Sequence, residues 1–382
     1  MDFFTKSPGI GGRIKQHAED FVVEEIAAEM PPGDEYTVFW LEKINIDANE
    51  AIDLLANRLH VSKARFGIAG TKDKRAFTKQ RVSVWRIDPE RMNNLKFRNM
   101  KVYGAEGSAE RITLGKLSGN RFKITVRDIS LKKEEIEERL SKIFSELEKG
   151  IPNYFGPQRF GEIREITHLV GKEMLKGTFQ PAVKTYLAMI FEKEQEDAKS
   201  ARKYLAEHWN KEGFAEALKL FPQRLRYERT VMEYLAKYPN DYAGSLRTLP
   251  KRLRKMFLNA VQARIWNRVA KVFAEKGEQM TIPLVGCGDK ISDDQMGEEI
   301  RKAMEEEEIS IESFCMPSMP ELRCTGGRRE LFLIPKGLGI LQIGEDELNS
   351  GKLKVAVAFE LPPGAYATEL VKEIIKSQPL ST

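Results

Sequence analysis

No apolar run in these 382 residues approaches the roughly 20 that a membrane span needs, and the N-terminus has no signal-like apolar core, so a cytoplasmic protein is expected. Cysteine is scarce. Cys287, Cys315 and Cys324 are an odd number, at spacings that fit neither a disulfide framework nor a zinc site. His17, His60, His168 and His208 are scattered with no helical ligand pair, so no metal site is expected. Gly9-Ile10-Gly11-Gly12 lacks the strand before and the helix after that a dinucleotide site requires. Internal repeats, low-complexity segments and the clustered acids of a metal-dependent nuclease are also missing.

What is present is an ordinary globular composition, 41% hydrophobic and 31% charged, in a 43.7 kDa chain long enough for two cores. The net charge of +5 says little about partners, but its distribution says more. Between positions 219 and 276 there are 14 Lys and Arg against 4 Asp and Glu, whereas 293–312 holds 9 acids against Arg301 and Lys302. Such polarisation points to one face suited to a polyanion and another that is simply solvated.

Taken in order, 21–26 and 36–41 read as strands of one sheet, with Pro31-Pro32-Gly33-Asp34 as the turn between them. A helix over 49–60 carries Ile52, Leu55 and Leu59 on one face. Strands are predicted at 82–85, 101–103, 111–114 and 122–126, with Gly115, Gly119 and Asn120 marking a loop between the last two. Ser130 is the expected cap of a helix running to about 148, with Ile136, Leu140, Ile143 and Leu147 as its buried stripe and Gly150 at its stop. From about 165 to 276 the pattern is almost wholly helical. Pro250 opens the clearest helix, where Leu253, Phe257, Ala260, Val261, Val269, Val272 and Phe273 trace the apolar side. Its cations, Arg252, Arg254, Lys255, Arg264 and Arg268, together with Arg224, Arg226, Arg229 and Arg247 nearby, are read as phosphate contacts, the alternative being a solvated face. After an acidic helix near 297–308, strands return at 330–334 and 353–361, and a last helix buries Leu370, Val371, Ile374 and Ile375. A helical block thus interrupts one discontinuous α+β sheet domain.

Two stretches carry chemistry. In the first, Phe66-Gly67-Ile68-Ala69-Gly70-Thr71-Lys72-Asp73-Lys74-Arg75, a glycine-punctuated turn presents one carboxylate amid cations, which suits a nucleophile. An aspartate in an ordinary turn is the other reading. The second, Asn153-Tyr154-Phe155-Gly156-Pro157-Gln158-Arg159-Phe160-Gly161, is a poor helix. In it Phe155 offers a ring for base stacking, and Asn153, Gln158 and Arg159 offer bonds to a base edge or phosphate. An aromatic turn closing a core would leave the same pattern.

Together with Arg13-Ile14-Lys15-Gln16-His17-Ala18-Glu19-Asp20-Phe21-Val22-Val23-Glu24-Glu25 and Leu361-Pro362-Pro363-Gly364-Ala365-Tyr366-Ala367-Thr368, these stretches resemble in order and spacing the TruD family of tRNA pseudouridine synthases. That resemblance implies a pseudouridine synthase-type mixed β-sheet catalytic domain over 1–177 and 326–382, with a mainly helical, RNA-binding inserted domain over 178–325. It implies isomerisation of a uridine, at position 13 of tRNA, with no cofactor. Asp73 would be the catalytic aspartate, by attack on C1′ or by assisting elimination, and Lys15 its basic partner. Phe155 would stack the extruded base, and Asn153 would fix the loop or contact the nucleotide; from their residue types Arg159 and Lys72 are read as further substrate contacts. Asp20, Glu24 and Glu25, beside or within a strand, are read as structural, and Arg329 begins a stretch that follows the family only in part. The competing expectation is a non-catalytic structured-RNA-binding protein or RNA chaperone.

Overall fold

A computed structural model describes residues 3–376 and divides them into two compact units, one formed by residues up to Ile151 and from Leu333 onward, the other by Pro152–Phe332. The sheet domain is therefore discontinuous and the chain α+β. In chain order, the first unit begins β1 (Phe21–Ala27), β2 (Tyr36–Ile44), α1 (Ala48–Leu59), β3 (Phe66–Ile68), β4 (Phe77–Trp85), α2 (Pro89–Asn93), β5 (Met100–Ser108), β6 (Leu117–Ile129) and α3 (Lys133–Leu147). The two-residue β7 (Ile151–Pro152) leads into the second unit. There follow α4 (Thr167–Leu175), α5 (Phe179–Ala188), α6 (Glu196–Glu207), α7 (Lys211–Leu220), α8 (Arg226–Lys237), α9 (Tyr242–Arg247), α10 (Lys251–Ala274), β8 (Thr281–Leu284), α11 (Gln295–Glu306) and β9 (Gly327–Glu330). After β10 (Phe332–Leu333), the chain completes the first unit with β11 (Lys336–Glu345), β12 (Leu353–Leu361) and α12 (Ala367–Ile375).

The first unit is built on an eight-stranded mixed sheet in the order β11-β12-β6-β1-β4-β2-β5, with β3 added on β4. The β1 and β2 strands share this sheet but are not neighbours. Instead β4 lies between them, parallel to β1 and antiparallel to β2. Helices α3 and α12 bury Ile136, Leu140, Ile143, Leu147, Leu370, Val371 and Ile374 against Phe122, Ile124, Val126, Val355, Val357, Phe359 and Leu361 of the sheet. A second cluster packs Ile52, Leu55 and Leu59 of α1 with Phe39, Leu41, Val82 and Val84. Each such side chain contributes roughly 1.5–3 kcal/mol on burial.

Three local expectations fail for identifiable reasons. Residues 111–114 are not a strand. Ile112 is buried at 2% exposure with its N–H donating to Ser83 Oγ at 3.0 Å, and Gly115 (φ 87) turns the chain at once. Gly119 and Asn120 lie inside β6 rather than in a loop, and a Cβ at Gly119 would meet the Leu361 carbonyl oxygen at 2.8 Å. Ser130 does not cap α3. Lys132 holds the cap position, while the Ser130 hydroxyl accepts a bond from Lys352 Nζ at 2.7 Å.

The second unit is helical around α10, which is buried on most sides. Phe257, Val261, Ile265, Trp266 and Val269 are all at most 2% exposed, and Gln262 and Arg254 are buried with them. Helix α4 approaches α10 so closely that a Cβ at Gly171 would sit 2.1 Å from the Phe257 carbonyl oxygen. The predicted strand at 330–334 is split. β9 ends at Glu330, having paired with β8, and Leu331 gives its N–H to Met280 O at 2.8 Å. Cys287 and Cys315 form a disulfide, against the expectation from spacing, and Cys324 is a buried free thiol. Their partnership comes from three loops drawn together by Cys287 N–H to Cys324 O (2.8 Å) and Cys324 N–H to Phe314 O (3.0 Å).

Candidate active site

In the first unit the candidate residues gather on the loop between β3 and β4. Gly67 is needed where the loop begins, since a Cβ there would lie 2.2 Å from Ile112 O; Gly70 has open space and no positive φ, so neither reason applies to it. Lys15 Nζ lies 3.2 Å from Asp73 Oδ2, which makes the two an ion pair as the motifs led us to expect. The lysine side chain is 9% exposed and the aspartate 31%. Lys15 has φ 58, a left-handed conformation that a lysine adopts only when its surroundings hold it there, and its ammonium rests 4.4 Å from the centroid of the Phe21 ring.

Asp73 is also held from its backbone. Lys43 on β2 donates from Nζ to the Asp73 carbonyl oxygen at 3.0 Å, from a site only 1% exposed. Burial pushes the Lys43 ammonium down to about 8, although Asp47 and Asp73 pull it upward and Lys72 adds to the lowering. Gln80 of β4 gives a long bond, 3.5 Å, from Nε2 to Gly70 O.

Lys72 departs from its expected place among the substrate contacts. Its ammonium binds Glu25 Oε2 at 2.8 Å, with the two side chains 6% and 1% exposed, while Glu25 Oε1 accepts the Arg81 N–H at 3.3 Å. Separating a pair so deeply buried would be costly, so Lys72 ties the loop to β1 instead of reaching a ligand. Asp20 is structural, as expected: its carboxylate accepts from His17 N–H (2.7 Å) and from Arg127 Nε (2.8 Å).

The second unit positions the aromatic turn. The Phe155 N–H donates to Asn267 Oδ1 and its carbonyl accepts from Asn267 Nδ2, each at 2.9 Å, so one side-chain amide on α10 pairs with the backbone as a strand would. Trp266 meets the Phe155 ring edge-on, with centroids 5.6 Å apart at 89°. Arg329 places its guanidinium carbon 4.1 Å from the Phe155 centroid and 5.4 Å from that of Trp266. Arg159 is a second cation near the ring, at 5.3 Å, and Phe155 is 9% exposed. Asn153 is anchored to β9. Its N–H reaches Leu331 O at 2.7 Å, its Nδ2 reaches Glu330 O at 3.1 Å, and its own carbonyl accepts from Arg329 Nε at 2.8 Å.

Lys43, Trp266 and Asn267 belong to no motif of the sequence, and Arg329 begins a stretch that follows the family only in part. Asn267 had one signal, a polar amide directly after the apolar pair Ile265-Trp266 in a helix, which invites the question of what it bonds.

Only part of the expected phosphate-binding set on α10 is presented to solvent. Arg252 and Lys255 are exposed in the first two turns. Arg254 is a correction, since it is 7% exposed and donates to Leu249 O at 3.2 Å and to Glu321 Oε1 at 2.7 Å. Arg264 and Arg268 are exposed but ion-paired with Glu307 and Glu306. Glu308 pairs with Lys176 at 2.6 Å. The acidic run is thus partly neutralised by neighbouring helices rather than forming a separate solvated face.

Among the described residues, no helix is long and apolar enough to cross a membrane. The family model of tRNA pseudouridine synthase D (TruD) matches residues 1–280 and 269–374. A Methanococcoides burtonii protein named probable tRNA pseudouridine synthase D is 37% identical, with 99% of this chain and 96% of that one covered. The tRNA pseudouridine synthase D of Geobacter metallireducens is 31% identical over 97% and 96%. A crystal structure of a Methanosarcina mazei protein assigned to TruD superposes with a TM-score of 0.78 at 33% identity, covering 100% of this chain and 97% of the other.

Proposed function

The chain belongs to the TruD family of tRNA pseudouridine synthases, and we propose that it isomerises a uridine at position 13 of tRNA through Asp73 after the base has been extruded from the RNA. The observation that carries this reading is the grip on Asp73: a part-exposed carboxylate bound by Lys15 and a backbone carbonyl bound by Lys43. A carboxylate that is fixed in place and left part-exposed suits a nucleophile better than a surface that only binds a polyanion.

The reaction breaks the C1′–N1 bond, turns the uracil over, joins C1′ to C5, and exchanges the C5 proton for one on N1. Nothing is gained or lost, so no redox or group-transfer cofactor is called for. Asp73 attacks C1′ or assists departure of the base, and Lys15 orients its carboxylate. Extruding the uridine costs a few kcal/mol, of which stacking on an aromatic ring returns about 1–3 kcal/mol. Phe155 is the ring we assign to that task, with Arg159 as a contact to the nucleotide. Asn153 acts by fixing the turn. Arg252 and Lys255 contribute phosphate contacts. We assign RNA binding to the second compact unit, 152–332, a wider span than the 178–325 expected for the family's inserted domain.

The experiment is to incubate the purified protein with tRNA transcripts carrying uridine or cytidine at position 13 and to map pseudouridine. Product at that position alone, lost in the cytidine transcript, is expected. Tight binding with no pseudouridine anywhere would replace this reading with that of an RNA chaperone.

A further inference from the structure

A buried lysine is expensive, and Lys43 is one of the largest fully buried side chains in the protein. It lies near the end of β2, opposite Thr78 of β4 and Met100 of β5. Cross-strand partners share a sheet face, so its stem runs beside Thr78, itself 0% exposed with an Oγ1 that has no hydrogen-bond partner. One residue pair along β4, Gln80 is 1% exposed with its Oε1 likewise unpartnered. The sheet under the Asp73 loop is therefore polar where an apolar floor would be cheaper. From this polar patch Lys43 Nζ reaches Asp73 O, while Lys72 of the loop pairs with Glu25 of β1.

From this geometry we infer that Lys43 is a positioning residue for catalysis: its charged ammonium fixes the backbone of Asp73, so that the carboxylate meets C1′ in one orientation. Lys15 and Lys43 divide the work. Lys15 holds the side chain of Asp73, and Lys43 holds the peptide from which that side chain projects. The inference rests on the reading of Asp73 as the catalytic carboxylate.

Charge is what makes the grip strong, since a charged donor binds a carbonyl about twice as well as a neutral amine would. The groups that set this charge are Asp47 and Asp73, which favour it, and Lys72, which opposes it along with burial. Burial lowers the Lys43 ammonium to about 8. Below that pH Lys43 is charged and the loop is held; as pH rises through it, the ammonium is lost and turnover falls.

The test compares kcat and tRNA affinity of wild type, Lys43→Met, Lys43→Arg and Asp73→Asn between pH 6.5 and 9.5, with thermal melting to verify folding. The wild-type kcat is expected to decline above pH 8. Lys43→Met should lose about a hundredfold in kcat, as a misplaced catalytic group does, keep its affinity for tRNA, and show no alkaline decline between pH 7 and 9. Lys43→Arg should recover part of the activity and stay active to higher pH than wild type. Should Lys43→Met not fold, the Lys43→Arg profile decides alone: an unchanged alkaline limb overturns the inference, and a displaced one supports it. Wild-type kcat in folded Lys43→Met, with Asp73→Asn inactive, removes Lys43 from the mechanism and leaves Asp73 standing. An active Asp73→Asn would instead overturn the reading on which the inference rests.

Discussion

Lys15 Nζ stands 3.2 Å from Asp73 Oδ2, and the lysine reaches that carboxylate from a left-handed backbone position at φ 58. A strained residue that makes a charge contact across 58 positions of sequence is held there by the fold, not by local preference. Replacing Lys15 with Met should lower kcat by about a hundredfold, in the range of a lost electrostatic donor. Affinity for tRNA should hardly move, because a single buried cation adds little to phosphate binding. Single-turnover rates and filter binding together check this, and a variant that lost affinity and kept kcat would place Lys15 on the RNA instead.

Asn267 makes both backbone bonds that hold Phe155, so Asn267→Ala removes a donor and an acceptor at once. The expected destabilisation is about 2 kcal/mol, since the Phe155 N–H and carbonyl are left without their partner. Chemical denaturation measures it directly. Asn267→Asp, which retains only the acceptor, should fall between wild type and Asn267→Ala.

Arg252 and Arg254 are two residues apart, and the structure gives them different surroundings, the first exposed and the second buried. Neutralising exposed Arg252 and Lys255 together should reduce the slope of log affinity against log salt by about 2. Arg254→Ala should leave that slope alone and lower the melting temperature, because the buried guanidinium is held by Glu321 and Leu249 O. Binding titrations at four salt concentrations distinguish the two; a reduced slope in Arg254→Ala would contradict the assignment.

His168 is 7% exposed, with its ring 5.5 Å from and edge-on to that of Phe160. Burial pushes it down to about 4, with Arg264 and Lys172 adding to the lowering and Glu307 opposing it. Its folded value lies below its unfolded one, so between about pH 6.5 and 4 the unfolded chain binds the proton more readily. Stability contributed by the neutral ring is complete above that window and lost as pH falls through it. His168→Gln should flatten the acid limb of a stability–pH curve, while an unchanged limb would show that other groups set it.

The parts of this protein that were legible in sequence are those where local pattern and burial agree. The stripe Ile136, Leu140, Ile143 and Leu147 and the strand expected over 353–361 both reappear in the core, the latter through Val355, Val357, Phe359 and Leu361. Strand order was not legible, because the insertion of β4 between β1 and β2 depends on pairing between residues about 55 positions apart, such as Val22 and Phe77. β11 was missed altogether: Gly337, Gly339 and Gly344 weaken the strand signal, and its pairing with β12 has two irregularities. Asp73 and Phe155, the residues proposed for the site, stand in motifs, but the side chains that hold them do not. Lys43 and Asn267 lie 30 and 112 positions from the residues they hold, and neither belongs to a spaced pattern. The charge polarisation was legible as composition and misleading as surface, since Arg264 and Arg268 meet their acidic partners only after folding.

The most direct test is release of tritium from tRNA labelled at C5 of uridine, measured with wild type and Asp73→Asn under single-turnover conditions. Release requires that the C5–H bond be broken, which happens only after the base has left C1′ and been turned. Wild type is expected to release tritium and Asp73→Asn none detectable, with tRNA still bound by the variant. Full release by Asp73→Asn would contradict the central claim, and the carboxylate that performs the chemistry would then lie elsewhere in the chain.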